Sequence, residues 1–236
     1  MFLKLLIRKE GVIYHGGLLR FFHGFRVKET LQAKYHFPVA ALNDGKAAAL
    51  AELATGHLKG VTNGAALVLG SGLGGGIIIN GKLFQGSHFQ AGELTFLLPL
   101  QMEKLDLSLM QGTTLSAVGL ITKVNEILAS LDLKDGLLAF KAINAKKEAV
   151  YPIFETYCRN LAITILNLQT IFDMETFVLG GGISAQSILI EEVNRQFDKV
   201  HHEIDFIGKI IKRPKIVACH HNGTNLIGAA YFLKQG

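Results

Sequence analysis

Only two of the 236 residues are cysteine, Cys158 and Cys219, and they lie far apart in the chain. That count excludes a disulfide framework, and without a Cys-x-x-Cys pair it excludes a finger-type zinc site. It fits a reducing compartment, where both thiols are expected to be small buried apolar groups. Runs of like charge are equally scarce. The formal net charge is +5, yet no Lys/Arg run exceeds two residues, as at Lys146-Lys147 and Lys212-Arg213. A basic surface for nucleic acid is therefore not indicated. No glycine-free apolar run approaches the roughly 20 residues of a membrane span. The opening MFLKLLIRKE is too short and too soon charged for a secretory signal. Short-period repeats and low-complexity linkers are missing too. These absences leave a soluble, cytoplasmic chain with no expected membrane or nucleic-acid partner. With 49% hydrophobic residues it can bury a substantial core, as one large domain or two small ones.

Glycine, in contrast, is crowded into one place. VLGSGLGGGIIINGKLF, Val68 to Phe84, has five glycines within residues 70–76. Gly70, Gly72 and Gly75 fit the G-x-G-x-x-G spacing of a dinucleotide-binding turn, which requires a helix after the glycines. Here Ile77-Ile78-Ile79 and Asn80-Gly81 follow, three β-branched residues and a hairpin signal, so a strand is predicted and the dinucleotide reading fails. A strand–turn–strand remains. Its backbone N–H groups and the Ser71 hydroxyl suit a phosphate, because glycine lets the main chain approach without a Cβ. A bulge in a twisted sheet is the alternative, but one or two glycines would serve it.

The surrounding pattern is that of an α/β fold with a mixed sheet. Residues 11–38 read as irregular, with turn signals at Gly16-Gly17 and His23-Gly24. PVAALN (Pro38–Asn43) reads as a short strand and DGKAAALAELATG as a helix ending near Gly56. GAALVLG, GIIIN and KLFQG form a predicted meander around the glycine turn. Thr113 to Ile171 is helical by its three- and four-residue apolar spacing. Strand TFVLGGG, a helix around SILIEEVNRQFDKV, strand KIVAC and helix NLIGAAYFLK close the chain.

Two carboxylates stand out. Asp44 lies where a strand end meets a helix start. It can be the helix N-cap, or a general base at the carboxyl edge of a sheet, where ligands gather in α/β folds. Asn43 beside it can orient a neighbouring hydroxyl, and the helix dipole favours an ionised base there. Glu93, in QGSHFQAGELTF, follows the third strand with His88 and Gln90 nearby. Carboxylate, imidazole and amide together suit a polyhydroxylated ligand; a solvated loop with a capping glutamate is the alternative.

These pieces, in this order, resemble the ROK family of sugar kinases and repressors. LNDGKAAALAELATG is similar to the family's N-D-x-x-x-A-A-x-A-E stretch. LVLGSGLGGGIIINGKLFQG is similar to its second phosphate loop, and AGELTF to the start of its sugar-binding segment. FVLGGGIS resembles the loop that receives adenosine, and NLIGAAYF the closing helix. The resemblance implies the actin-like ATPase fold, two-lobed with mixed sheets, and phosphoryl transfer from ATP with Mg²⁺ to a hexose or related sugar. It makes Asp44 the catalytic base and Asn43 and Glu93 sugar ligands. Ser71, Gly72 and Gly74 would meet the ATP phosphates, and Gly180, Gly181 and Gly182 the adenosine. Residues 1–58 with 222–236 would belong to the first lobe and 59–221 to the second. Family habit also suggests a homodimer.

Three departures from the family pattern stand in the sequence. The histidine of its G-E-x-x-H reads Phe96 and the later cysteine cluster is missing, so no zinc is expected. Gly223 replaces an aspartate ahead of the closing helix. No D-x-G-G-T hairpin lies before Asp44, so the first lobe is expected to be incomplete, short of roughly the first quarter of the usual fold, with uncovered apolar surface. The rival readings are a non-catalytic sugar sensor and an inactive fragment. A DNA-binding repressor is disfavoured, because nothing before Gly11 reads as a helix-turn-helix.

Overall fold

The computed structural model describes residues 6–7, 11–14, 20–98, 106–203, 205–220 and 225–235. A short pair, β1 (Leu6–Ile7) and β2 (Ile13–Tyr14), is followed by helices α1 (Val27–Tyr35) and α2 (Asp44–Thr55). Strands β3 (Gly64–Leu69), β4 (Leu73–Ile79) and β5 (Lys82–Phe84) form a meander. Helices α3 (Gln111–Thr114), α4 (Ala117–Ile127), α5 (Gly136–Asn144) and α6 (Tyr151–Phe172) lead to β6 (Thr176–Gly180). Then come α7 (Ser187–Glu203), α8 (Asp205–Ile210), β7 (Lys215–Ala218) and α9 (Asn225–Gln235).

The main sheet runs β5-β4-β3-β6-β7. Neighbours β4 and β5 are antiparallel; β6 lies parallel to β3, and β7 parallel to β6. The β4–β5 link is a two-residue turn, and its Asn80 and Gly81 both take positive φ (51° and 68°), the signature of type I′. Alternation along the strands sorts side chains to two faces. Ala65, Leu67, Leu69, Phe177 and Leu179 join one large core with Phe154, Leu161, Leu189 and Phe197 from α6 and α7. Ala66, Ile78 and Val178 face the other way and pack with Ala49 of α2. Each fully buried Leu or Phe of this kind contributes about 1.5–3 kcal/mol.

Helix α6 fills the span that its apolar period marks out. It has proline in its first turn and ends at Asp173, left-handed at φ 48°, whose N–H donates to the Gln169 carbonyl. A polar clamp ties it to α7: buried Glu192 accepts from Tyr151 Oη (3.0 Å), Arg195 Nε (2.8 Å) and Gln196 Nε2 (2.7 Å). Burial pushes the Glu192 carboxyl up, but these donors outweigh it and hold it below the usual carboxylate range. The Tyr151 hydroxyl is pushed up to about 12, first by burial and then by its bond to Glu192.

Two expectations need correction. PVAALN is not a strand: residues 38–43 pair with no strand among the described residues, so there is no hydrogen-bond ladder to make them one. The stretch read as irregular contains α1. None of its residues is buried, so it shows no apolar period; Lys, Glu, Leu, Gln and Ala propensity and an Arg26–Glu29 ion pair support it instead. The turn expected at His23-Gly24 is present, with Gly24 at φ 79°. Gly16-Gly17 and Gly223, and the start of the closing segment at 222–224, lie outside the described residues.

Candidate functional site

Strands β3, β6 and β7 run parallel, so their carboxyl ends open on one edge of the sheet. Three loops meet there: Gly70-Ser71-Gly72 after β3, Gly181-Gly182 after β6, and Cys219-His220 after β7. They are held in register by main-chain contacts. The Cys219 N–H donates to the Leu179 carbonyl at 2.8 Å. Gly181 takes φ +100°, and a Cβ there would lie 2.1 Å from the Leu69 carbonyl oxygen. Only glycine fits that position. The β3–β4 turn is narrower than the glycine count suggests. It consists of residues 70–72, closed by Gly70 N–H donating to the Gly72 carbonyl (3.0 Å) and pinned by Ala117 N–H on the Gly70 carbonyl (2.9 Å). Ser71 is exposed at its tip, and Gly70 has open space on its Cβ side.

Gly74, Gly75 and Gly76 are therefore strand residues, and at Gly75 and Gly76 the reason is packing; a Cβ on Gly74 would make only ordinary contacts, the nearest with Val68 Cβ at 3.4 Å. A Cβ on Gly45 of α2 would stand 2.6 Å from Gly75 N, and a Cβ on Gly92 would stand 2.6 Å from Gly75 O. A Cβ on Gly76 would meet Ala49 Cβ at 2.5 Å and Gly45 O at 2.6 Å. Bare backbone on β4 thus receives the first turn of α2 on one side and the Gly92 loop on the other. Asp44 is one residue from Gly45, and Glu93 one residue from Gly92. Gly75 is the hub that brings these two candidate groups to the same strand, three residues beyond the Gly70–Gly72 turn.

The first turn of α2 divides the labour between two neighbours. Asn43, buried and extended (φ −63°, ψ 146°), is the N-cap, its Oδ1 accepting from Gly45 N–H at 2.9 Å. Asp44 is the first helical residue rather than the cap. Its carboxylate is exposed and takes a second share of the same N–H at 2.8 Å. Asn43 thus serves the helix start, and the exposed Asp44 carboxylate keeps a solvent-facing side. Glu93 opens a 3₁₀ turn, Leu94–Phe96, and makes no side-chain capping bond to it, so the capping alternative fails. His88 is exposed on the outer part of that loop.

Next to Asp44, Lys46 is 2% exposed. Its ammonium donates to the Phe89 carbonyl and lies over the Phe89 ring, 5.9 Å from the centroid. Phe89 sits at φ 60°, uncommon for a bulky residue, and Lys46 anchors it. At the other end of α2, buried Glu52 accepts from His57 N–H and from His220 N–H, each at 2.8 Å. A carboxylate so removed from water needs such donors. Beyond the β7 exit lies an open depression of about 510 Å³, lined by Ser184, Ile190, Glu191, Val217, Cys219 and His220 among others. Cys219 is thus half-buried at its wall, 3.4 Å from Ser184 Oγ, whereas Cys158 is fully buried and its thiol is pushed up chiefly by that burial.

The sequence model of the ROK family matches residues 5–236. The chain belongs to the ROK family. It is 31% identical over 236 residues to a beta-glucoside kinase of Listeria innocua, covering 96% of this chain and 75% of that protein. A solved ROK protein of Streptococcus pneumoniae, in complex with sucrose, superposes with a TM-score of 0.81 at 29% identity. That match covers 98% of this chain and 77% of the other. A ROK glucokinase of Streptomyces griseus, in complex with glucose and AMPPNP, shares the fold at TM-score 0.81 and 22% identity, over 98% and 79% of the two chains. The α/β architecture with its mixed sheet is that of the ROK sugar kinases, the actin-like ATPase fold.

Within this ROK chain, several residues that build the site carried no chemical signal in the sequence. Gly45 and Lys46 stand at unspecified positions of the N-D-x-x-x-A-A-x-A-E stretch, and Glu52 and Gly92, though they match letters of the quoted motifs, had no role attached. The usable clue was composition. A helix whose non-alanine residues include a lone lysine and a lone glutamate, both on apolar flanks, must either expose those charges or supply them with partners. Among the described residues no cluster of three or more His, Cys, Asp or Glu side chains is placed to hold a metal, and no helix is long and apolar enough to cross a membrane.

Proposed function

We infer that this chain transfers the terminal phosphoryl group of ATP to a hydroxyl of a hexose or related sugar. The observation that carries the reading is the packing of Gly45 and Gly92 on Gly75, which sets Asp44, Glu93 and the Gly70–Gly72 turn around one strand. Kinase names among ROK relatives, including the beta-glucoside kinase, support it. In this reading Asp44 accepts the proton of the attacking hydroxyl. Glu93, Asn43 and His88 bind sugar hydroxyls, with Asn43 acting chiefly through the helix start it caps. Ser71, Gly72 and Gly74 meet the phosphates, where small residues and exposed main chain suit a polyanion. Gly180, Gly181 and Gly182 border the nucleoside, and the depression beside Ser184 and His220 has the volume for an adenosine moiety. Mg²⁺ bound to the phosphates would neutralise charge as it builds on the transferred group. The division at residue 58 is kept as part of this reading, with α2 and α9 packed together in the first unit and α2 seated directly on β4 of the second.

The test is ADP release from ATP and Mg²⁺ across a panel of hexoses, hexosides and N-acetylhexosamines. Sugar-dependent release is expected, and Asp44→Asn should lower kcat about 10²–10⁴-fold. Its melting temperature should stay unchanged, because the cap is Asn43 and the Asp44 side chain is exposed. Release that no sugar stimulates, or that survives Asp44→Asn, refutes the reading.

A further inference from the structure

The 3₁₀ turn after Glu93 places an aromatic side chain beside the proposed sugar site. Phe96 closes a turn that begins at Glu93, its N–H donating to the Glu93 carbonyl at 3.1 Å, so the two residues are held one turn apart. Phe96 is 50% exposed, and Leu97 and Leu98 beside it are 40% and 38% exposed. Large apolar groups are left at the surface although the turn itself is firmly held. Thr95 is buried and its hydroxyl donates to the Leu73 carbonyl at 2.8 Å, tying the turn to the first residue of β4. Leu97 N–H donates to the Leu94 carbonyl at 3.1 Å, and Gln111 N–H to the Leu97 carbonyl at 2.9 Å. A rigid, half-exposed aromatic next to a carboxylate is a preorganised stacking surface, because little freedom is lost when a flat apolar group settles on it.

We propose that Phe96 is a specificity-determining residue, a platform that selects acceptor sugars carrying an apolar or cyclic aglycone over the free hexose. The proposal rests on the reading of Glu93 as a sugar ligand. Glu93 holds hydroxyls of the hexose, and Phe96, one turn on, receives the group attached to it. The ring adds contact in the ground and transition states alike, so it acts on KM rather than on kcat.

Calorimetric titration with glucose, methyl β-glucoside and phenyl β-glucoside tests this, alongside steady-state kinetics. The wild type should bind the phenyl glucoside about 3- to 10-fold more tightly than the methyl glucoside, the range expected for one aromatic pair. Phe96→Ala should bring that ratio close to one by raising KM for the phenyl glucoside, with kcat and the KM for glucose unchanged. Phe96→Tyr keeps the platform and should keep the ratio, which guards against a folding defect in the alanine variant. Glu93→Gln should weaken all three sugars together. If Glu93→Gln weakens binding but Phe96→Ala leaves the ratio intact, the platform is refuted and the sugar site stands. If no glucoside binds, or Glu93→Gln changes nothing, the sugar-site reading falls and takes the platform with it.

Discussion

Replacing Gly45 by alanine sets two physical effects against each other, and the structure fixes the sign. Gly45 is the second residue of α2, with ordinary helical backbone. Helix propensity alone would make alanine stabilising by up to about 1 kcal/mol. The new Cβ, however, would sit 2.6 Å from Gly75 N and 2.8 Å from Gly75 O. Those atoms are main chain of a strand locked to β3, so relief requires α2 to move as a body. Overpacking of this kind costs about 1–3 kcal/mol, and a main-chain obstacle belongs to the upper half of that range. The net expectation is a loss of about 1–2 kcal/mol, which for a domain of this size lowers the melting temperature by about 2–8 °C. Because Asp44 rides on the displaced turn, kcat should fall at least about tenfold, since misplacement near 1 Å costs on the order of 10²-fold. Gly136→Ala is the control: its Cβ meets only the tip of Ile121 at 3.4 Å, so stability should change by less than about 0.5 kcal/mol. Thermal melts and sugar-dependent ADP release on both variants decide the matter. A Gly45→Ala protein that melts at or above the wild-type temperature would refute the packing argument.

Two further outcomes follow from the same geometry. Asn43→Ala removes the side-chain cap of α2 and should destabilise by about 1 kcal/mol in denaturant melts, whereas Asp44→Asn should not. Tyr151→Phe deletes a hydroxyl that donates to Glu192 and should cost about 1 kcal/mol near neutral pH. Since the Tyr151 hydroxyl is raised in the folded chain, its contribution is fully present below pH 10 and lost as pH rises toward about 12. Wild type and variant should therefore converge in urea-melt stability across that window; a gap that stays constant refutes the assigned hydrogen bond.

How much was legible depended on whether the signal was local. Helix α6, the Asn80-Gly81 turn and the β6–α7–β7 succession could be read because their periods and turn residues depend only on near neighbours. Asp44 as the N-cap, one of two readings left open, gives way to Asn43, since either residue type caps well and only backbone angles decide. The glycine cluster was read as a tight turn. Two of its five glycines, Gly75 and Gly76, answer instead to Gly45, Ala49, Gly92 and Leu94, partners 17 to 31 residues away that no local window contains. Helix α1 escaped notice because it buries nothing. The resemblance proposed roles for Asp44 and Glu93 but none for Lys46 or Glu52, whose partners at Phe89 and His220 lie 43 and 168 residues away.

Glu52 has a mechanical consequence. One oxygen grips the chain at His57, just past the end of α2, and the other grips His220 at the exit of β7, while Asp44 stands at the helix's opposite tip. At about 1.5 Å per residue, the twelve residues of α2 make a strut about 18 Å long. A push at the His220 end is delivered to Asp44 as translation of the whole strut, with no joint in between to absorb it. Residues 44–55 therefore move as one piece, and the first non-helical joint at that end is Gly56.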